Sequence, residues 1–121
     1  MERVIVCGSR EWTDRGRIFA RLKELPPDSV IVHGACSRGA DRIAHEEAKK
    51  LEFVIEEHPA HWHQYGKRAG FIRNEEMAIA GASRLLAFWD GASRGTKDMI
   101  NRAMEHRIPV EIFQPEDAIS S

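Results

Sequence analysis

Five short apolar runs alternate with four helical patterns along the whole chain, and this alternation limits the fold more than any other feature. The runs cover residues 4–7, 30–32, 53–55, 85–89 and 110–113. Parallel strands need a crossover connection, usually a helix, and strands covered on both faces read as continuous apolar runs. We therefore predict an α/β fold with a parallel, doubly wound, five-stranded sheet in the order 3-2-1-4-5 and helices on both faces.

Capping residues and apolar periodicity place the helices between these strands. Thr13 or Asp14 caps the first helix, which extends through Leu25, and Ser37 or Asp41 opens the second. The third and fourth helices are predicted at residues 67–82 and 97–106, with a polar segment at 58–66, a loop at 90–96 and a frayed tail at 114–121. The result is a single Rossmann-like, three-layer domain that spans residues 1–121.

The composition agrees with one soluble domain. Of the 121 residues, 42% are hydrophobic and 31% charged, which excludes collagen-like and disordered classes. Lys and Arg total 18 against 19 Asp and Glu, so the charge balance indicates no general nucleic-acid or membrane partner. No apolar run reaches the ~20 residues of a membrane span, and the run at 4–7 is too short for a signal peptide. We expect a cytoplasmic protein in which Cys7 and Cys36 are free thiols.

Gly, Ser, Arg and His residues concentrate directly after the predicted strands. Segments 8–10, 34–41, 58–63 and 90–96 follow the first four strands in turn. In an open parallel sheet these carboxyl ends lie at one edge, and ligands bind there near the point where the strand order reverses. We therefore expect one binding site assembled from segments that are far apart in the sequence.

Two of these segments have the composition of an anion-binding loop. Gly34 and Gly39 flank Ser37 and Arg38 before the second helix, whose N-terminus favours negative charge. The loop at 90–96 repeats this arrangement before the fourth helix. The alternative is that these glycines only shape strand-to-helix turns. The chain has no G-x-G-x-x-G motif and no P-loop Lys-Ser/Thr, which excludes a standard dinucleotide dehydrogenase or NTPase.

Several polar side chains are candidates for chemistry at this edge. Arg73 and Asn74, on the third helix, either face a ligand or lie at the surface. Asp41 and Asp90 are candidate general bases or acceptors for sugar hydroxyls, although Asp41 could simply be a helix N-terminal carboxylate. Cys36 at a helix N-terminus is a candidate nucleophile, but no general base is identifiable beside it.

Histidines and aromatic residues in the third loop have two interpretations. His58, His61 and His63 could bind a metal or could form a polar rim of the pocket. Since they have no partner Cys and no H-E-x-x-H motif, we expect no metal. Three aromatic side chains could stack on a base or pack as a lid: Trp12, Trp62 and Tyr65.

Four blocks of the sequence, in order, resemble the YspA-type (cpYpsA-related) branch of the SLOG superfamily. The blocks are VCGSREW (6–12), HGACSRGAD (33–41), WHQYGKRAGFIRNEEM (62–77) and AFWDGASRGT (87–96). The resemblance covers about residues 3–113 and implies a Rossmann-like domain that binds nucleotides or nucleotide-derived ligands such as ADP-ribose species. It implies no particular reaction and no required cofactor. It also implies a homo-oligomer, a dimer through helices like the third and fourth.

A first related family suggests an enzyme as an alternative. Cytokinin-activating phosphoribohydrolases, of the lysine decarboxylase-like group, carry an Arg on the third helix and a P-G-G-x-G-T-x-x-E loop. Arg73, Gly95 and Thr96 match, but the catalytic Glu position falls on Met99. Asp98 is one residue early, which turns its side chain about 100° away on a helix. A hydrolase of the N-glycosidic bond in a nucleoside monophosphate would have these candidate carboxylates: Asp41, Asp90 and Asp98.

A second related family suggests nucleic-acid binding. Segments 8–10, 39–45, 71–74 and 80–83 are similar to the DNA-processing protein A family, whose Rossmann domain binds single-stranded DNA. Binding a phosphate chain relies on many Lys and Arg contacts, and the balanced charge of this chain weakens that alternative.

The leading hypothesis is a domain that binds a small nucleotide-derived ligand at the carboxyl ends of the strands. We predict ligand contacts from Gly8, Ser9, Arg10, Gly34, Ser37, Arg38, Gly39, Asp41, Arg73, Asn74, Asp90, Gly91, Ser93, Gly95 and Thr96.

Overall fold

A computed structural model of the chain describes residues 1–115, and its elements follow the predicted order. The strands are β1 (Arg3–Gly8), β2 (Val30–His33), β3 (Val54–Glu57), β4 (Arg84–Phe88) and β5 (Val110–Phe113). The helices are α1 (Arg15–Leu22), α2 (Ala40–Lys50), α3 (Trp62–Tyr65), α4 (Ala69–Ala80) and α5 (Arg94–Glu105), and a 3-10 turn (Gly66–Arg68) joins α3 to α4. Most of the predicted frayed tail, residues 116–121, lies outside the described residues.

The five strands form one sheet in the order β3-β2-β1-β4-β5, and every neighbouring pair is parallel, which confirms the predicted fold class and strand order. β1 is the central strand, and its Ile5 is in register with Val32 of β2 on one side and Leu85 of β4 on the other. The chain winds outward from β1 to β3 and then returns to β4. The strand order therefore reverses between β1 and β4, where a ligand site is expected in this class of sheet.

Alternate residues of β1 serve the two faces of the sheet. Val4 and Val6 belong to a core cluster that includes Ile18 of α1 and Ile43 of α2. Their neighbours Ile5 and Cys7 belong to a second cluster, with Met77 and Ala78 of α4 and Met99 and Ile100 of α5. Because successive side chains of a strand point to opposite faces, the uninterrupted apolar run produces a sheet between two helical layers.

Two helix boundaries differ from the prediction: the C-terminal end of α1 and the N-terminal end of α5. α1 ends at Leu22, and Leu25 is buried in the following turn, where its N–H donates to the Leu22 carbonyl over 3.0 Å. α5 begins three residues earlier than predicted, because the Ser93 side chain caps it by accepting a hydrogen bond from the Thr96 N–H. Capping chemistry, which the apolar periodicity does not reveal, explains this shift.

The segments around α2 and α4 also differ from the prediction. Neither Ser37 nor Asp41 caps α2; its N-cap position is Gly39, without a side-chain hydrogen bond. The predicted third helix corresponds to α4, and it ends earlier than predicted, before Gly81. Part of the preceding polar segment forms the short helix α3.

Gly39 joins α2 to the loop after β1, and its backbone requires glycine. Its φ is +75° and its ψ is −149°, a region that is essentially limited to glycine. A Cβ at this position would also lie 2.5 Å from Arg10 Cα and would overlap the Ser9 carbonyl oxygen. The close approach lets the Ala40 N–H donate to that same oxygen over 3.1 Å.

We expect Gly39→Ala to destabilise the protein more than Gly81→Ala. Gly81 also has a positive φ, +87°, but a Cβ there would meet nothing within 4 Å, so Gly81→Ala isolates the cost of the backbone conformation, about 1–3 kcal/mol. Gly39→Ala adds overpacking and should cost about 1–3 kcal/mol more. Urea denaturation followed by circular dichroism measures the free energy of unfolding of both variants. Equal decreases would show that the close approach at Gly39 does not contribute to stability.

Candidate functional site

A cavity of about 400 Å³ opens at the carboxyl ends of β1 and β4, beside the point where the strand order reverses. The end of β1, the loops after β1, β2 and β4, and the helices α2, α4 and α5 form its walls. It is lined by Cys7, Gly8, Ser9, Arg10, Glu11, Gly34, Cys36, Arg38, Asp41, Arg73, Asn74, Met77, Asp90, Ala92, Ser93, Gly95, Thr96 and Met99. All the predicted ligand residues except Ser37, Gly39 and Gly91 are in this set. We call this space the first cavity.

A second cavity, of about 640 Å³, adjoins the first. It is lined by Arg10, Gly34, Ala35, Cys36, Ser37, Arg38, Pro59, Ala60, Trp62 and Arg73. Arg10, Gly34, Cys36, Arg38 and Arg73 line both cavities, so these residues form their common boundary. Each volume lies in the range of small-molecule sites, about 300–1,000 Å³. Gly39 and Gly91 line neither cavity.

Ser9 connects the loops that form the first cavity. Its N–H donates to the Phe88 carbonyl over 3.0 Å, and its carbonyl accepts from the N–H groups of Trp12 and Ala40. Its hydroxyl Oγ accepts from the Asp90 N–H over 3.1 Å. Ser9 is 1% exposed, so we assign its main role to joining β1, β4 and α2.

Arg73 reaches from α4 across the ends of two strands. Its Nη1 donates to the carbonyls of Gly34, after β2, and of His58, after β3. Its Nε donates to Asn74 Oδ1 over 2.9 Å. A Cβ on Gly34 would overlap the guanidinium, so a side chain there would require Arg73 to move. Arg73 thus fixes two loops and still exposes positive charge to both cavities.

Asp41 places a buried carboxylate in the first cavity. Its Oδ2 accepts hydrogen bonds from the N–H groups of Gly34 (3.2 Å) and Cys36 (3.3 Å), which shapes the loop before α2. Within residues 1–115, Oδ1 has no hydrogen-bond partner, and the side chain is almost fully buried. Burial raises the pKa of Asp41 to about 6, although the nearby charge of Arg73 acts in the opposite direction.

Asp90 organises the loop before α5. Its Oδ1 accepts from the N–H groups of Ala92 (2.8 Å) and Ser93 (3.0 Å), an Asx turn. These backbone donors lower the pKa of Asp90, the Ala92 bond being the largest cause. The hydroxyls of Ser93 and Thr96 lie 3.0 Å apart and face the same cavity. The predicted acceptor of a sugar hydroxyl is therefore already engaged in holding its own loop.

Asp98 lies outside both cavities, whereas the next residue, Met99, lines the first. Asp98 Oδ2 accepts from Asn74 Nδ2 (3.0 Å) and from Arg102 Nε (2.8 Å). It belongs to a polar network between α4 and α5, and the position that faces the cavity carries a thioether. The angular argument from the sequence agrees with this placement.

The three aromatic candidates occupy different environments. The indole of Trp12 is 5% exposed and packs edge-on against Phe88, with ring centroids 5.5 Å apart, so it is a core residue and is not available for stacking. Tyr65 is exposed but lines neither cavity. Trp62, 50% exposed, lines the second cavity.

His58, His61 and His63 form no metal-ligating group in the part of the chain that the structure describes. His58 instead contacts Glu56 Oε2 over 2.6 Å, and His61 and His63 are exposed. Arg3 pairs with the same carboxylate, and these two partners, Arg3 first, lower the pKa of Glu56 to about 2.

A different group, His33, His45 and Glu57, has ligand atoms within 4.8 Å of one another. His33 Nδ1 accepts the Ala35 N–H over 3.0 Å, so the proton of the neutral ring is on Nε2, which lies 3.0 Å from His45 Nδ1. Burial, and then His45, lower the pKa of His33 to about 4, which keeps this ring neutral at pH 7. These hydrogen bonds engage both nitrogens of His33 and Nδ1 of His45 without a cation.

Sequence reasoning missed several residues of the cavity walls. Met77 was not among the predicted site residues, and Met99 was noted only as the position of a related family's catalytic Glu, yet both line the first cavity. Helical spacing could have predicted both positions. Met77 is four residues after Arg73 and Met99 is three after Thr96, so each lies on the same helix face as a predicted ligand residue. Cys7 also lines this cavity, and burial, with Asp41 nearby, raises the pKa of its thiol.

The order of the five parallel strands defines a doubly wound, Rossmann-like domain, and the first cavity lies where that order reverses. Residues 2–65 match the model of the YspA, cpYpsA-related SLOG family. The chain is also 40% identical to the Gene 61 protein of Mycobacterium phage D29, over 93% of this chain and 97% of that protein. The chain therefore belongs to the YspA, cpYpsA-related SLOG family, a membership consistent with a nucleotide-related ligand. None of the described helices is long and apolar enough to cross a membrane.

We expect Asp41→Asn to stabilise the protein at neutral pH. The folded state holds the Asp41 proton up to about pH 6, whereas an unfolded Asp loses it near 3.8, so the wild type loses stability as pH rises through this window. Asn keeps a hydrogen-bond acceptor for the loop without the charge. The variant should gain on the order of 2–3 kcal/mol at pH 7.5 and almost nothing at pH 4.

Urea denaturation at the two pH values measures this difference. Asp28→Asn is a matched control, because that carboxylate is 70% exposed and pairs only with the exposed Met1 ammonium, 3.6 Å away, so its loss should cost less than about 1 kcal/mol. A loss of stability in Asp41→Asn at pH 7.5 would show that the ionised form is the stabilising one.

We also expect that Zn²⁺ does not bind at His33, His45 and Glu57. Coordination at His33 Nε2 would move its proton to Nδ1 and break the bond from Ala35. Equimolar Zn²⁺, added to chelator-treated protein, should leave the thermal midpoint unchanged. A rise that is present in the wild type and absent in His45→Gln would contradict this expectation.

Proposed function

We propose that this protein binds a nucleotide or a nucleotide-derived, ADP-ribose-like ligand across the two cavities, as a sensor or a ligand-processing module. The observation that carries the proposal is the convergence of Arg10, Arg38 and Arg73 on the boundary between the cavities. The three come from the loop after β1, the loop after β2 and helix α4, so the tertiary fold brings together cations that are distant in the sequence. Their shared position suits a phosphate or diphosphate group.

The start of α5 supports the same proposal. The first N–H groups of a helix have no partner within the helix, and they favour anions. At α5 the Ser93 side chain engages the Thr96 N–H, which leaves the N–H groups of Arg94 and Gly95 at the helix end. Gly95 and the hydroxyls of Ser93 and Thr96 line the first cavity. A phosphate near the three arginines would meet these donors on its other side.

The carboxylate of Asp41, in the first cavity, suits a hydroxyl group of a sugar. Asp41 Oδ1 lacks a partner in the described chain, and the hydroxyl of a ribose is a donor that could satisfy it. The Asp would then act in its ionised form, above its pKa of about 6. The cation-lined boundary and the acceptor-lined interior thus complement the two polar parts of a nucleotide.

Binding is better supported than hydrolysis of an N-glycosidic bond. The family of phosphoribohydrolases that the sequence resembles has a Glu where this chain has Met99, and Met99 is the residue that faces the cavity. Asp98 is engaged with Asn74 and Arg102. Single-stranded DNA is less suited than a small ligand, because the three arginines converge on one boundary instead of following a phosphate chain.

Calorimetry with AMP, ADP and ADP-ribose tests the proposal. We expect at least one of them to bind at millimolar concentration or below, and Arg10→Gln to weaken binding about 10-fold. Arg10 suits this test because its exposed side chain makes no hydrogen bond or ion pair with residues 1–115, so its loss should not disturb the fold.

Arg107→Gln is the matched control, since Arg107 is an exposed cation in the turn before β5, at the opposite edge of the sheet. The Arg107→Gln variant should bind the nucleotides with the affinity of the wild type. No binding of any of the three nucleotides at millimolar concentration contradicts the proposed function. Binding of a single-stranded oligonucleotide that weakens steeply with salt would favour the DNA alternative.

A further inference from the structure

The two cavities differ in charge although they share their arginines. The first cavity has three acidic residues in its lining, Glu11, Asp41 and Asp90, whereas the lining of the second has none. A carboxylate suits the hydroxyls of a sugar, whereas the second cavity has no carboxylate and only one side-chain hydroxyl in its lining, that of Ser37. The part of a ligand that enters the second cavity should therefore be bound by another kind of contact.

Trp62 supplies that contact. It is the aromatic residue in the lining of the second cavity, and half of its surface is exposed. A Cβ on Gly70 would lie 3.5 Å from the Trp62 ring atom Cη2 and 3.8 Å from Arg73 Nη2. The indole and the guanidinium therefore flank the same small residue of α4, which leaves an aromatic surface next to a cation.

Arg73 has a free donor on this side. Its Nε and Nη1 are engaged with Asn74, Gly34 and His58, whereas Nη2 has no hydrogen-bond partner in residues 1–115. Nη2 can therefore donate to a ligand beside Trp62. A planar base that stacks on the indole, attached to a phosphate near Nη2, satisfies both groups at once.

We propose that the second cavity is the base subsite of this protein: the base of an ADP-ribose-like ligand stacks on Trp62, its diphosphate lies at the arginine boundary, and the sugar beyond the diphosphate enters the first cavity. This inference rests on the proposed function and adds the orientation of the ligand. It predicts that an aromatic base contributes to affinity and that a sugar phosphate without a base binds more weakly.

Binding of AMP and of ribose 5-phosphate, measured by calorimetry with the wild type and Trp62→Ala, tests the inference. Loss of base stacking should weaken AMP binding about 5- to 150-fold and leave ribose 5-phosphate binding within twofold. Trp62→Phe keeps an aromatic ring and should restore most of the AMP affinity. Tyr65→Ala, in the same short helix but outside both cavities, should change neither ligand.

The outcomes separate this inference from the proposed function. If Trp62→Ala leaves AMP binding unchanged, or weakens both ligands equally, the base subsite is wrong, although the anion-binding role survives. The base subsite is also wrong if the wild type binds ribose 5-phosphate as tightly as AMP or more tightly. If the wild type binds none of AMP, ADP, ADP-ribose and ribose 5-phosphate at millimolar concentration, the proposed function fails and the base subsite fails with it.

Discussion

The hydrogen bonds of Ser9 hold the site together, because they join three segments that are distant in the sequence. Its N–H meets the end of β4, its carbonyl meets the start of α2, and its hydroxyl meets the Asp90 N–H. These contacts require the backbone of α2 to approach the loop after β1 closely, which is why Gly39 has no side chain and a positive φ. The cavity between β1 and β4 is the space that remains beside this junction.

Arg73 and Asp41 place opposite charges in that space, and each also has a structural task. Arg73 binds two loop carbonyls, and Asp41 accepts two loop N–H groups, so the same side chains shape the walls and present polar atoms to the interior. Because the hydrogen bonds of Arg73 and Asp41 with the loop backbone partly offset the cost of burying their charges, the cavity can be both preformed and charged. A ligand with a phosphate and hydroxyl groups complements what remains unsatisfied.

The fold and most of the lining could be predicted from the sequence, since both follow from short-range rules. Continuous apolar runs indicated buried parallel strands, and the carboxyl-end rule then brought Arg10, Arg38 and Asp41 to one edge. Trp12 was harder to place, because an indole beside a Gly-Ser-Arg loop suits a ligand as well as the core. Its burial against Phe88 depends on the packing of α1 on the sheet, which no local pattern expresses. The pairing of His33 with His45 was missed for the same reason: the two rings lie on different elements.

By itself, the sequence determined the order of strands and helices, the edge of the sheet that bears the polar loops, and the family. Periodicity, turn residues and motif spacing are encoded within a few positions, so they can be read without coordinates. Only the tertiary structure decided that Met77 lines the cavity, that Ser9 connects loops, and that two cavities share one boundary of arginines. Those facts depend on helix rotation and on contacts between distant segments, which are set by the packing of the whole core.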